Sequence, residues 1–522
     1  MSGTAKRVLW IDDEIEYLRA HVAFLETRGY AVSTASGGDE GIGILRGGAF
    51  DLVLLDKQMP VKSGAATLDE IKAGWPGLPV IILTGYQHAA DVAMDKKYNE
   101  YLTKPVDPDE LLGACKRAIE SNEHASRKLT DRYMRDYTEN KARLGGVLSA
   151  AGWMNLHTSL SRWDLEMDYA ANEGIRQMHM GLKSDSGKKF CACVIDNYAG
   201  WASGSSGRPF MSVDVLEKVV APELRKGRGV LVVSLTGLSM PQFLAIEAEI
   251  KRNFSVTATR FMPVLPTTPN FCLPALAAGL YPCAVSEREP GVFGNGSGAC
   301  DTVAMKRLMR GGLERLGLDG VKAHYASLDG VNGKRHLRAA IDIIKKAQTY
   351  GVLTLDAVEK FTSPAPDAVL PNDVPVDSAE FRRMAEFWFA ASDTLAMMRE
   401  VCGDSRTVIL TSAHGHTRCG RAADVYEVDS IGSLRSMFGA RVSVDEREVF
   451  LLEELPYFKL PAFAPGAKCL MALENYGFAL PARSEGGKKH RVDGFHYGGI
   501  SLDEMILPLY ICRPFGSERS GG

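Results

Sequence analysis

An excess of charge of either sign is missing from this chain. Its 522 residues carry 61 Lys and Arg against 64 Asp and Glu, a formal net charge of −3. A near-balanced surface gives no general attraction to nucleic acid or to an anionic membrane. The C-terminal part also lacks a terminal helix-turn-helix and is far larger than such a module, so no specific DNA binding is expected. Long apolar runs are missing too. No stretch reaches the roughly 20 residues of a spanning helix, so no membrane insertion is expected. The N-terminus shows no signal-peptide pattern, and the expected location is cytoplasmic. Cysteine is sparse, with ten scattered residues and no C-x-x-C pair. Cys191 and Cys193 are too close for a zinc finger, and buried thiols are expected. No internal repeat is visible. A content of 45% hydrophobic and 24% charged residues is ordinary for globular proteins. At roughly 150 residues per domain, the length suggests about three domains.

What is present begins with RVLWIDDE, followed by LLDKQMP, LTGY and EYLTKP. Each is an apolar strand pattern that ends in a polar residue: Asp12 and Asp13, then Asp56, Thr84 and Lys104. In an open parallel α/β sheet the carboxyl ends of the strands line one crevice, so these groups are expected to meet at one rim. Clustered carboxylates repel one another unless a hard cation sits among them, and oxygen ligands suit magnesium. Asp13 and Asp56 would ligate it, with Asp12 close by or through water, and the Gln58 carbonyl could add a ligand. Asp56 would take a phosphoryl group as an acyl phosphate, and Lys104 would neutralise its oxygens. Thr84 would hydrogen-bond the product, and Gly85 would leave room for phosphate. The Lys104–Pro105 bond is a candidate cis peptide.

This order and spacing, over roughly residues 5–122, resembles the response-regulator receiver domain of two-component signalling. The resemblance implies a flavodoxin-like doubly wound fold and a histidine kinase as partner. It also implies a switch role for Tyr101, which matches the family's aromatic switch position, acting on an α4–β5–α5-like face.

The segment DPDELLGACKRAIES reads as the last receiver helix, with Asp107 as N-cap and Pro108 at N1. Residues 123–185 are polar and read as helices broken at Gly145, Gly146 and Gly152, a helical linker bundle. Met154, Met167, Met178 and Met180 are expected in its core. KKFCACVIDNYAGW reads as a separate short helix. From 186 to 515, GVLVVSLTG, RFMPVLPTTPN, YGVLTLDAVEK, RTVILTSAHGH and MILPLYICRP read as buried strands between helical patterns. Together they form a second, larger doubly wound α/β domain. GNGSG follows no clear strand and reads as a flexible loop. The tail at 516–522 is expected to be disordered.

The run HYGGISLDEMILPLYICRP resembles the end of the PglZ domain, a branch of the alkaline-phosphatase superfamily. The motif stands here as Gly498, Gly499, Ile500, Ser501, Asp503, Glu504, Met505, Ile506 and Pro508. FMPVLPTTPNFCLPALAAGLYP is similar to the superfamily's nucleophile segment, and RTVILTSAHGHTR to its metal segment. The whole layout is similar to response regulators that join a receiver, a helical bundle and a PglZ domain. Such phosphatases use paired zinc ions and a Thr nucleophile. Here Thr236, Lys360, Ala413 and Tyr497 stand where metal ligands are expected, while Asp356 and His414 are retained. Pro269 falls at the nucleophile, with Thr268 one residue away. A single zinc held by Asp356, His414, His416 and His496 is conceivable, since His414 and His416 on a strand would face one side. Zinc nevertheless needs about three or four ligands at fixed distance, and hydrogen-bonded histidines in a vestigial cleft are the favoured reading.

The resemblances together imply a response regulator phosphorylated on Asp56. Its degenerate PglZ output domain would act by binding a partner protein or a nucleotide-like ligand, and a phosphorylation-dependent homodimer is one expected state. The alternative is a phosphorylation-controlled zinc-dependent phosphodiesterase acting on nucleotide phosphodiesters. Its nucleophile would be Thr268 and its zinc ligands Asp356, His414 and His496.

Overall fold

The computed structural model describes residues 5–85, 98–168, 173–293, 301–328, 349–356, 378–403, 406–425, 430–431, 433–440, 442–463, 465–479 and 492–516. The chain divides into two compact units. One is Met1–Lys141 with Glu166–Met180, and the other is Ala142–Leu165 with Gly181–Gly522.

In the N-terminal unit the elements run β1 (Lys6–Ile11), α1 (Arg19–Thr27), β2 (Tyr30–Ala35), α2 (Gly38–Gly47) and β3 (Leu52–Asp56). They continue with α3 (Gly64–Gly74), β4 (Val80–Thr84), β5 (Glu100–Thr103) and α4 (Pro108–Leu144). The strands form one sheet in the order β2-β1-β3-β4-β5, with every pairing parallel. Every residue of β3 and β4 is buried, as expected where both faces of a parallel sheet are covered. Alternation along the strands splits the core in two. Val8, Trp10 and Leu54 pack with Leu111 and Cys115 on one face, and Leu9, Ile11 and Leu55 pack with Leu68 and Ile71 on the other. Asp107 caps α4 as expected, its Oδ1 accepting from the Asp109 and Glu110 amides at 2.9 and 3.1 Å.

The linker differs from the sequence expectation at three points. The last receiver helix does not stop near residue 122, because α4 continues unbroken to Leu144 and ends at Gly145 and Gly146. Gly152 does not break the next helix but lies inside α5 (Ala150–Asp168). The boundary drawn at 185/186 falls within α6 (Glu173–Ala202). Leu182, Ser186, Phe190, Val194 and Tyr198 are all buried, a spacing of four that keeps one stripe of a single helix facing inward. Met154 and Met167 lie in the core, Met178 is half-buried, and Met180 is 69% exposed because that stripe leaves it on the outer side.

The C-terminal unit continues with α7 (Ala221–Arg225), β6 (Val230–Leu235), α8 (Met240–Asn253), β7 (Ser255–Phe261), α9 (Pro269–Ala278), α10 (Pro282–Arg288) and α11 (Thr302–Arg315). Next come β8 (Lys322–Leu328), β9 (Thr349–Leu355), α12 (Ser378–Ala391), α13 (Thr394–Gly403) and β10 (Thr407–Thr411). Then follow β11 (Thr417–Cys419), β12 (Arg421–Asp424), β13 (Ser430–Ile431), β14 (Ser436–Gly439), β15 (Val449–Leu452), β16 (Lys468–Ala472) and β17 (Tyr476–Ala479). The unit ends with β18 (Gly494–His496), α14 (Leu502–Met505) and β19 (Leu507–Arg513).

Four of the five expected strands lie in one six-stranded sheet ordered β7-β19-β10-β6-β9-β8; the fifth, RFMPVLPTTPN, gives only Arg260 and Phe261 to the end of β7, and its prolines carry the chain out of the sheet into α9. The sheet is a second α/β sheet, but a mixed one, because β19 runs antiparallel to both β10 and β7. The C-terminal ends of the parallel strands β10, β6 and β9 therefore stand side by side. A second sheet, β13-β14-β16-β15, was not expected; its strands are two to five residues long and too short to show a period. The cysteines among the described residues are free, with Cys191 buried and Cys193 half-buried. No described helix is long and apolar enough to cross a membrane. The GNGSG loop, Lys360 and residues 517–522 lie outside the described residues.

Candidate functional site

In the N-terminal unit, the parallel strands deliver the expected groups to one rim. Asp12 and Asp13 follow β1, Asp56 ends β3 and Thr84 ends β4. Ligand oxygens of Asp12, Asp13 and Asp56 all lie within 4.8 Å of one another. Asp12 and Asp56 are buried, whereas Asp13 opens to solvent. Lys104, just beyond β5, places Nζ 2.9 Å from Asp12 Oδ2 and 2.8 Å from Asp56 Oδ2. Its own amide donates to the Thr84 carbonyl at 2.8 Å, and its bond to Pro105 is cis.

Burial pushes the Asp56 carboxyl above its ordinary range, and the Lys104 ammonium and the Gln58 amide oppose that shift without cancelling it. Burial pulls Lys104 down, but its hydrogen bonds to Asp56 and Asp12 outweigh this and hold it charged. The Gln58 backbone amide donates to Asp56 Oδ1 at 3.1 Å, and the Gln58 side chain is exposed. Among the described residues, a Cβ built at Gly85 meets nothing within 4 Å. Tyr101 sits on β5 and is 45% exposed. Residues 86–97, between β4 and β5 and part of the expected switch face, lie outside the described residues.

Two features here were not read from the sequence. Gly64 opens α3 against the back of the site, where a Cβ would stand 2.2 Å from the Asp56 carbonyl oxygen. Val61, on the loop after Asp56, is fully exposed with φ of 69°, a strained conformation for a β-branched residue.

Residues 8–116 match the response regulator receiver domain. The N-terminal part of this chain is a response regulator receiver domain. Residues 123–202 match the PorX response regulator linker domain, whose end coincides with the end of α6. The transcriptional regulatory protein DltR of Streptococcus agalactiae is 36% identical over 108 residues, 20% of this chain and 48% of that protein. ZraR of Escherichia coli, also a transcriptional regulatory protein, is 38% identical over 114 residues, 22% of this chain and 26% of that protein. The chain thus spans about half or less of the length of these curated relatives. A solved receiver domain from Clostridium thermocellum is 37% identical, covering 23% of this chain and 98% of its own, with a TM-score of 0.22. Receiver domains typically bind magnesium, and the acidic cluster of this one has the oxygen donors such an ion takes.

In the C-terminal unit, Thr236, Asp356 and His414 follow β6, β9 and β10, so they share the carboxyl edge of the large sheet. The Thr236 hydroxyl donates to Asp356 Oδ1 at 2.6 Å and the Ser327 hydroxyl to Oδ2 at 3.3 Å. Hydroxyls therefore occupy both oxygens of the retained acid. His414 and His416 lie on a turn beyond β10 rather than on a strand, with ring centroids 5.7 Å apart. The Tyr497 ring packs edge-on against both, at 4.9 and 5.0 Å. His416 Nδ1 meets the Gly237 carbonyl at 2.9 Å, whereas both ring nitrogens of His414 are buried without a hydrogen-bond partner. Burial holds His414 well below the ordinary histidine range and brings His416 down to about 4, so both are neutral at pH 7. His496 ends β18 and is also lowered, chiefly by burial.

Among the described residues, Asp356, His414, His416 and His496 do not form a group of metal-ligating atoms within reach of one ion; the acidic cluster of the receiver domain does. As described, these four residues do not fit a zinc site. Thr268 caps α9 through its backbone, and its side chain makes no capping bond. The neighbouring Thr267 hydroxyl donates to the Gly499 carbonyl at 2.7 Å.

The Gly-Gly-Ile-Ser segment has a structural explanation that the sequence showed only in part. Glu504 accepts from the Gly499 amide at 2.8 Å and the Ser501 amide at 3.0 Å, a capping box that opens α14. It also forms a two-pronged pair with Arg435 at 2.8 Å on each prong, both side chains being 0% exposed. A buried acid in this motif calls for a cationic partner, but no local spacing points to an Arg 69 residues earlier.

Proposed function

We propose that the chain is a response regulator that takes a phosphoryl group from a histidine kinase onto Asp56, and that its C-terminal unit is the output. The observation that carries this reading is the convergence of Asp12, Asp13 and Asp56 on one point with Lys104 bonded to two of them. An Asp56 oxygen attacks phosphorus. The bond from phosphorus to the donor's histidine nitrogen breaks, and that nitrogen takes a proton. Asp13 and Asp56, with Asp12 close by, would hold magnesium, which would supply positive charge against the phosphoryl oxygens. Lys104 leaves the carboxylates for the phosphoryl group, and the Thr84 hydroxyl bonds a second oxygen. Tyr101, half out of the fold, then turns inward and shifts the balance between two receiver populations.

For the output we propose a degenerate PglZ-type fold that binds a partner protein or a nucleotide-like ligand. The hydroxyl-capped Asp356, and the lack among the described residues of a ligand set within reach of one ion, support binding over zinc-dependent hydrolysis. The test compares the native chain with Asp56→Asn, with magnesium and acetyl phosphate as donor. The native chain is expected to gain acid-labile phosphate and change its oligomeric state, and the variant to do neither. Equal phosphate on the variant would remove Asp56 from the reading.

A further inference from the structure

The helix α6 makes more of the candidate output site than its place in a linker requires. The Tyr198 hydroxyl oxygen accepts from the Leu265 amide at 2.9 Å. Leu265 lies just before Thr267, whose hydroxyl reaches the Gly499 carbonyl. The next residue, Ile500, offers its carbonyl to the Cys191 thiol at 3.5 Å, and Cys191 returns the path to α6. The ring is closed: α6, the segment leading to Thr268, the Gly-Gly-Ile-Ser segment beside Tyr497, and α6 again. Tyr198, Cys191 and Ile500 are all buried, so these bonds are shielded from water. One turn before Tyr198 on the same buried side is Val194, and before it Phe190. Just before Phe190, Lys189 Nζ donates to the carbonyl of Leu144, the last residue of α4, at 2.8 Å. From α5, the neutral His157 brings Nε2 to 3.5 Å from Asp503 Oδ1 without a hydrogen bond between them. The Asp503 backbone carbonyl in turn lies so close to Gly415 that a Cβ there would stand at 2.1 Å.

We propose that α6 is the positioning element that delivers the receiver's state to the output site. A displacement of α4 pulls on Lys189, and α6 passes it to both segments that meet at the Thr267–Gly499 bond. The inference rests on the receiver reading above. Tyr198, Cys191 and Lys189 are positioning residues in this proposal; none is assigned contact with a ligand.

The experiment is hydrogen exchange of the full chain read by mass spectrometry, with and without magnesium and beryllofluoride as the phosphoryl mimic. In the native chain, peptides covering 52–58, 262–268 and 496–505 are all expected to change protection. In Lys189→Met, which keeps the stem and removes the donor, the 52–58 response is expected to persist while the other two fall by at least half. Lys189→Arg is expected to restore them. Tyr198→Phe removes the acceptor for the Leu265 amide, which is then expected to exchange on the order of tenfold faster without beryllofluoride. A merely structural role would change resting protection in these variants and leave the beryllofluoride response intact. A full output response in Lys189→Met, or a native chain whose receiver responds while 262–268 and 496–505 stay silent, overturns the proposal. Silence at 52–58 overturns the receiver reading and the inference with it.

Discussion

Lys104 competes with magnesium for the same carboxylates, and its removal is expected to tighten magnesium binding. Its ammonium lies 2.9 Å from Asp12 Oδ2 and 2.8 Å from Asp56 Oδ2. A divalent ion among those oxygens would stand roughly 4 Å from it, where the repulsion is about 2 kcal/mol even at the dielectric of water. Lys104 is partly exposed, so it relieves some of that by turning outward, leaving about 1.4 kcal/mol, or roughly tenfold in affinity. Lys104→Met keeps most of the stem and deletes the charge. Trp10, buried on β1 two residues before Asp12, offers a fluorescence signal for a magnesium titration at pH 7.5, with calorimetry as a second reading. The variant is expected to bind magnesium about tenfold more tightly yet to lose the oligomeric response to acetyl phosphate. Unchanged or weaker magnesium binding would refute the competition argument and the placement of the ion among Asp12, Asp13 and Asp56.

Other consequences are open to measurement. Arg435→Met leaves Glu504 buried and unpaired, which is expected to cost about 3–5 kcal/mol, read as a fall in the unfolding midpoint of the C-terminal unit. Burial raises Asp503 to about 6, so the folded protein binds its proton more tightly than the unfolded chain does. That stability is complete below about pH 4 and lost as pH rises through about 6. Asp503→Asn, which needs no proton, is therefore expected to gain on the order of 1 kcal/mol over the native chain between pH 5 and pH 7, seen as diverging thermal midpoints. Zinc content of chelator-free protein is expected to be well under one ion per chain; stoichiometric zinc would revive the hydrolytic reading. Gln58→Ala is expected to alter the lifetime of the phosphorylated form, and an unaltered half-life would remove the Gln58 side chain from the hydrolysis step.

The receiver site was legible because parallel strands with buried, near-continuous apolar runs end in the residues that matter. Strand-end position alone brings Asp12, Asp56 and Thr84 together. The linker was less legible. Glycine reads as a breaker, yet Gly152, Gly181 and Gly187 lie within helices whose buried stripes outweigh the roughly 1 kcal/mol each costs. In the C-terminal unit the buried strands β6, β9, β10 and β19 were visible, but the more exposed β7 and β8 were not, nor was the reversed direction of β19, since pairing direction leaves no local mark. The Arg435–Glu504 pair and the Tyr198–Leu265 bond are long-range and showed no sequence signal. The His414 segment was visible as a resemblance, and only the structure shows Asp356 held by hydroxyls and His414 ringed by His416 and Tyr497.

The central claim is that Asp56 receives the phosphoryl group. The most direct measurement treats the full chain with magnesium and acetyl phosphate, traps the acyl phosphate with borohydride and maps the reduced residue by peptide mass spectrometry. The account expects the label at Asp56, dependent on magnesium and absent from Asp56→Asn. A label elsewhere, or none while the domain stays folded and binds magnesium, would contradict it.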